Sequence, residues 1–172
     1  AENAGYIWNG ALVNHTDEQW DAMLGIHVTA PFRLLRAYGR WLRSMHGDAQ
    51  APMPCRKVVN VSSVSGLFGA ATQAGYAAGK AAVLGLTRTL AKEGGRYNVT
   101  VNAVAFGHIA TRLTQPYDGD PPRIDVAGRS HRVGLSREQI AQQLALTPLG
   151  RTGMTIDAAN ANEVAAGTRI HR

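Results

Sequence analysis

The sequence predicts an α/β fold built on a parallel sheet, and three observations carry that expectation. Helical and buried-strand patterns alternate in the order helix, strand, helix, strand across residues 17–105, the mark of parallel strands joined by crossovers. Apolar residues make up 45% of the 172-residue chain and charged residues 17%, which suits a globular domain and excludes a disordered or collagen-like one. The single cysteine, Cys55, allows no internal disulfide and fits a reducing compartment.

The elements follow in order. Thr16-Asp17-Glu18-Gln19 reads as a capping box, with Thr16 as N-cap and Gln19 reaching back to it. A long helical pattern covers about 17–45, where Trp20, Met23, Leu24, Leu34, Leu35, Tyr38, Trp41, Leu42 and Met45 recur at helical spacing. Pro31 lies inside it and predicts a kink. A polar loop over 47–54 leads to a short buried strand over 56–63, and 64–69 reads as a loop. A second helix, rich in Ala, Leu and Gly, covers about 74–93, with Gly94-Gly95 as its C-cap. Residues 99–105 form a second buried strand.

Beyond that strand the chain changes character. The stretch 115–122 is rich in turn residues, and Ile124, Val126, Ser130 and Val133 alternate around Ala127-Gly128, which predicts a hairpin over 123–133. The region 112–147 is expected to act as a mobile, substrate-side flap. Ser136 offers an N-cap for a helix to about Leu146, and 155–172 is weakly helical.

The net charge of +6 permits an anionic partner without requiring one. Arg33, Arg36, Arg40 and Arg43 fall within an arc of roughly 80° on the first helix and read as its solvated face rather than an anion-binding stripe. No nucleic-acid motif or aromatic interleaving accompanies them, so no nucleic-acid partner is expected. The longest apolar runs, such as 81–86, are too short to span a bilayer, and residues 1–5 have no leader pattern. These readings point to a cytoplasmic protein without a membrane partner. The first residue is not Met, so the chain is expected to be processed or to begin within a longer sequence. His15, His27, His46, His108, His131 and His171 show no metal-ligand spacing with one another or with Cys55, and no metal site is expected. Cys55 reads as an inert loop thiol. The triplets at Asn14, Asn60 and Asn98 match a glycosylation acceptor but read as chance.

One cluster points to chemistry. Ser63 closes the first strand, and Tyr76 and Lys80 stand four residues apart on one face of the second helix. The Tyr–Lys pair alone is weak, but a Ser at the carboxyl end of a buried strand strengthens it, because ligands of open α/β sheets bind there. Carbonyl reduction needs an acid beside the developing alkoxide. A free phenol titrates near pH 10, too high to exchange protons freely at neutral pH. A neighbouring ammonium favours the phenolate, so Lys80 is expected to pull the Tyr76 phenol down while Ser63 holds the substrate oxygen.

Asn60-Val61-Ser62-Ser63-Val64-Ser65-Gly66, Tyr76-Ala77-Ala78-Gly79-Lys80 and Val101-Asn102-Ala103-Val104-Ala105-Phe106-Gly107 together resemble the short-chain dehydrogenase/reductase family. Within it the sequence is most similar to bacterial 3-oxoacyl-(acyl-carrier-protein) reductases, from Asn3 to about Gly153. The resemblance implies a Rossmann-type doubly wound parallel sheet, here incomplete, as one partial domain over 1–172. It implies NAD or NADP as cofactor, a small-molecule or acyl-thioester substrate, and a homo-oligomer where the full domain is present. It assigns catalysis to Ser63, Tyr76 and Lys80. It sets Asn3, Ala4 and Gly5 beside the cofactor, together with Tyr76 and Lys80, and Gly107, Ile109 and Thr111 near the nicotinamide carboxamide.

The sequence departs from the family in three places. The family's fourth catalytic residue, an Asn that supports a water-borne proton relay partly through its backbone carbonyl, aligns with His27. A relay residue and a satisfied core histidine both remain open there. The usual Pro before Gly107 is Phe106. The dinucleotide fingerprint, a strand and Gly-rich turn opening a helix, is absent, and with it the residue that chooses NAD or NADP. After Gly153 the family's last strand and Gly-rich tail have no counterpart pattern. Only two complete strands are evident, too few for a stable open sheet alone, so the remainder is expected to have been removed or to come from elsewhere.

Two functions follow. One is an NAD(P)-dependent oxidoreductase interconverting a carbonyl and a secondary alcohol, by 3-oxoacyl thioester reduction. The other is a truncated or degenerate non-catalytic member acting as an assembly subunit. The chain by itself is expected to bind NAD(P) weakly or not at all.

Overall fold

The structure, a computed structural model, describes residues 5–46, 53–126 and 128–167. Asn3 and Ala4, most of the predicted polar loop, Ala127 and the tail 168–172 lie outside the described residues. The expected capping box is present. Thr16 Oγ1 accepts from the Gln19 amide at 3.2 Å, and Gln19 Oε1 accepts from the Thr16 amide at 2.9 Å. It opens helix α1 (Asp17–Leu24), which continues through a π-helical segment (Gly25–Thr29) into α2 (Ala30–His46). The sequence placed the irregularity at Pro31, and it lies just before that residue. Proline has no amide hydrogen to give the carbonyl four residues back, which is that of His27, so the helix widens over the preceding turn.

Met23 and Leu42 are fully buried, while Trp20, Leu34, Trp41 and Met45 are exposed although they share the same periodicity. Arg33, Arg36, Arg40 and Arg43 are exposed, as a solvated face requires.

Strand β1 (Arg56–Ser63) pairs in parallel with β2 (Val99–Phe106), in register from Arg56 opposite Val99 to Ser63 opposite Phe106. Between them run α3 (Val64–Phe68) and α4 (Ala74–Gly94). The expected loop after β1 is therefore a short helix. Its cause is Ser63, whose Oγ caps it by accepting from the Ser65 amide at 3.2 Å. Helix α4 ends at Gly94 with Gly95 as its C-cap, as expected. Gly95 keeps right-handed geometry, and the chain reverses at Asn98, which adopts φ 55°. Asn adopts that region more readily than other non-glycine residues, and here its Nδ2 donates to the Met53 carbonyl at 2.8 Å.

Helix α4 lies across both strands, and α1 and the π segment pack on its far side. Small residues permit that approach: a Cβ at Gly75 would stand 2.9 Å from the Met23 Cβ, and one at Gly79 would stand 2.7 Å from the His27 Cβ. The apolar core gathers around Leu42, Val99 and Val101. Buried polar residues stitch β1 to α4: Asn60 Nδ2 donates to Thr87 Oγ1 at 2.9 Å, and Ser62 Oγ donates to the Lys80 carbonyl at 2.8 Å.

Beyond β2 the chain forms small sheets. Strand β3 (Pro116–Tyr117) pairs with β6 (Leu135–Ser136), and β4 (Arg123–Val126) pairs antiparallel with β5 (Arg129–Arg132). The predicted hairpin is thus present, with Gly128 at φ 77°. Helix α5 (Arg137–Ala145) starts from Ser136, which forms a second capping box with Gln139. Helix α6 (Thr155–Ala165) is anchored by Asp157, which accepts from the Met154 amide at 2.7 Å and pairs with Arg151. It crosses β2, where Asn102 Nδ2 donates to the Ala165 carbonyl at 2.8 Å.

Candidate active site

A cavity of about 460 Å³ stands beyond the carboxyl ends of β1 and β2. Ser63, Tyr76 and Lys80 all line it, together with His27, Gly5, Gly107, Ile109 and Thr111. Of the residues picked from the sequence, only Asn3 and Ala4 are not placed, since they lie outside the described residues.

Each side chain is set by its element. Ser63 is the last residue of β1 and the cap of α3, so its backbone is fixed from both sides. Its oxygen accepts the Ser65 amide, which leaves the hydroxyl hydrogen to be donated elsewhere. Tyr76 and Lys80 lie one turn apart on α4. The buried Lys80 ammonium donates to the Val61 carbonyl at 2.9 Å and lies 5.9 Å from the centre of the Tyr76 ring. A Cβ at Gly66 would come within 2.7 Å of the Lys80 backbone, so that glycine lets α3 settle against α4 beside the site.

The Ser63 hydroxyl lines the same cavity as the Tyr76 phenol and favours its ionised form. The phenol is nevertheless held above the ordinary tyrosine value, because burial disfavours the phenolate more than Ser63 favours it. This corrects the expectation that Lys80 brings the phenol down. In this packing desolvation is the larger influence.

His27 sits in the π segment, 2% exposed. Its Nε2 lies 2.8 Å from the Tyr6 carbonyl, and its ring meets Tyr76 edge-on at 4.9 Å. Burial is the main cause that lowers its pKa from 6.5 to about 4, with the Lys80 charge adding to it.

Sequence reasoning missed part of the wall. Tyr6, Ile7 and, from α6, Thr155, Ala158, Ala159 and Asn162 also line it. The α6 residues are small or polar and carry no motif, so only the folded chain brings them in. From the 112–147 region, Leu113 and Thr114 reach the cavity. The hairpin itself lies further out: the buried His131 ring packs 4.8 Å from Tyr6 and 4.9 Å from Trp8, and Arg129 pairs with Glu18. A second cavity, of about 630 Å³, adjoins through Thr111 and Thr114 and has Ile140, Ala141 and Leu144 of α5 on one side.

A ligand cavity beyond the strand ends, between a capped serine and a helix bearing Tyr and Lys, defines an α/β protein of the open parallel-sheet class. A family model described as short chain dehydrogenase matches residues 1–121. The chain belongs to that family. It is similar to the 3-oxoacyl-(acyl-carrier-protein) reductase of Vibrio cholerae, at 35% identity over 88% of this chain and 51% of the relative. The hydroxyacyl-CoA dehydrogenase of Mycobacterium tuberculosis is also 35% identical, over 77% of this chain and 43% of its own. Among solved structures, a 4-hydroxyisoleucine dehydrogenase complexed with NADH matches with a TM-score of 0.65 at 25% identity, over 93% of this chain and 56% of that one. The chain spans about half the length of the curated relatives it matches.

Proposed function

We propose that the chain carries the catalytic part of an NAD(P)-dependent oxidoreductase that interconverts a carbonyl and a secondary alcohol, with 3-oxoacyl thioesters as the substrate class. The observation that carries this reading is the meeting of Ser63, Tyr76 and the buried Lys80 ammonium in one cavity with Gly107, Ile109 and Thr111.

A ketone becoming an alkoxide needs one proton and a donor to its oxygen. Burial keeps Tyr76 a neutral phenol at neutral pH, so it enters as the acid. It gives its proton to the carbonyl oxygen, while the Ser63 hydroxyl donates a hydrogen bond to the same oxygen. The Lys80 ammonium then stabilises the phenolate left behind. In the reverse direction that phenolate is the base. Among the described lining residues there is no Asp or Glu, so no carboxylate competes with Tyr76 for the role.

The residues fit the nicotinamide end of the cofactor. The cavity is of small-ligand size, and the exit from β2 over 107–111 forms one of its walls. A reduced nicotinamide bound there supplies the hydride. The names of the two relatives both specify acyl thioesters, and the apolar α5 side of the adjoining cavity suits an acyl chain.

The reading also places the protein in the cytoplasm, as a homo-oligomer. Among the described residues no helix is long and apolar enough to cross a membrane. The exposed Leu34, Trp41 and Met45 on α2 give copies an apolar face to share.

The test is NADPH and NADH oxidation by the full-length protein with a 3-oxoacyl thioester. Tyr76→Phe should lower kcat by about a hundredfold or more, with the fold retained. A Tyr76→Phe protein of undiminished rate would remove Tyr76 from the chemistry.

A further inference from the structure

His27 is a buried ring that the scheme above leaves without a task. Its surroundings are specific. The Tyr6 carbonyl can only accept, so the contact at 2.8 Å places the ring hydrogen on Nε2. Nδ1 is then a bare acceptor, buried and without a hydrogen-bond partner. A Cβ on Gly5 would stand 2.5 Å from the imidazole Cε1, and one on Gly79 would stand 2.7 Å from the His27 Cβ. The residue is thus lodged between two glycines, and Tyr76 closes a third side at 4.9 Å, with the rings at 89°.

We propose that His27 is a positioning residue for Tyr76: a neutral imidazole, tethered to the Tyr6 carbonyl and lodged between Gly5 and Gly79, that holds the phenol ring edge-on and keeps water from that side. The proposal rests on Tyr76 being the reacting acid, and it explains how that acid stays protonated and aligned. The groups around the phenol are few. Ser63 meets it from the end of β1, Lys80 from its own helix, and His27 from the π segment. Unlike the Lys80 ammonium, the imidazole covers the ring without adding charge, and unlike the Ser63 hydroxyl it covers it with a whole aromatic ring. An aligned acid matters because small misplacements of a reacting group cost rate steeply.

The experiment is an NMR titration of the chain labelled with carbon-13 tyrosine, with the Tyr76 resonance identified from Tyr76→Phe. His27→Ala should admit water against the phenol and move the Tyr76 midpoint down by about one pH unit. His27→Gln, which keeps bulk and a donor for the Tyr6 carbonyl, should keep most of the original midpoint. In the full-length enzyme His27→Ala should lower kcat about tenfold with KM little changed. If His27→Ala does not fold, Gly5→Ala serves instead, because its Cβ must push the imidazole aside. A folded His27→Ala, or Gly5→Ala in its place, with the Tyr76 midpoint unmoved overturns the proposal. So does a full loss of the effect in His27→Gln. The two readings fail separately: an active Tyr76→Phe removes the proposed acid and leaves this titration intact, whereas an unmoved midpoint removes the positioning role whatever the activity.

Discussion

Burial drives Tyr76 and His27 toward their neutral forms, one by raising a phenol and the other by lowering an imidazole. Lys80 is then the one charged side chain among the described residues lining the cavity. The histidine shift has a consequence for stability. An unfolded chain takes up the His27 proton near pH 6.5, while the folded chain resists it down to about pH 4. The unfolded state therefore binds more protons between these values, and folding loses stability as pH falls through that window. Below about pH 4 the loss from this residue is on the order of 3 kcal/mol. Denaturant unfolding at pH 7.5 and pH 4.5 checks it. The wild-type chain should lose about 2 kcal/mol more than His27→Gln, which has no imidazole to charge. Equal losses would mean that the ring is not held neutral. The serine, tyrosine and lysine were legible as a pattern of spacing. The balance between burial and the Lys80 charge was not, since desolvation depends on what packs around the phenol.

The π segment shows how one residue sets an element. Pro31 denies the His27 carbonyl its usual amide partner, and Ala30 donates instead to the Gly25 carbonyl, five residues back. Pro31→Ala would restore the missing donor and favour an ordinary α-helix. The expected outcome is a more stable helix with His27 turned out of its place between Gly5 and Gly79. Two measurements check this: a rise in Tm, and loss of the His27–Tyr76 ring contact in NMR. A Tm that falls, with that contact retained, would show that tertiary packing rather than proline imposes the π turn. The same contrast governs what the sequence revealed about elements. The Thr16 capping box, the Ser136 N-cap, both long strands and the β4–β5 hairpin follow from neighbours in the chain, and they were readable. The helix after Ser63 and the left-handed stop at Asn98 depended on local caps that glycine and loop composition obscured. The role of α6 as a cavity wall depends on where it crosses β2, which no local pattern encodes.

At the scale of the molecule, the proposed function gives the two parallel strands the reacting end of a dinucleotide site and little of the rest. The described sheet of β1 and β2 positions Ser63 and the exit over 106–111 at one cavity, the parts that the proposed function assigns to the reacting end. Pyrophosphate in this fold class sits at a helix N-terminus that follows a strand and a Gly-rich turn. The helix that follows β1 here is α3, only five residues long, and the sequence contains no such turn. Contacts to the remote part of a ligand hold its reacting centre in place, so lacking them weakens both affinity and chemistry. The 172-residue chain should therefore bind NADH and NADPH only weakly, while a longer form that carries a strand, Gly-rich turn and helix should bind one of them well. Calorimetry on the two proteins side by side measures this, and Lys80→Met in the longer form should weaken its binding if the ammonium holds the nicotinamide half. Micromolar affinity in the 172-residue chain would mean that the cavity between α4, α6 and the strand exits is a sufficient dinucleotide site on its own, and that the α6 wall of Thr155, Ala158 and Asn162 takes the place of the Gly-rich turn.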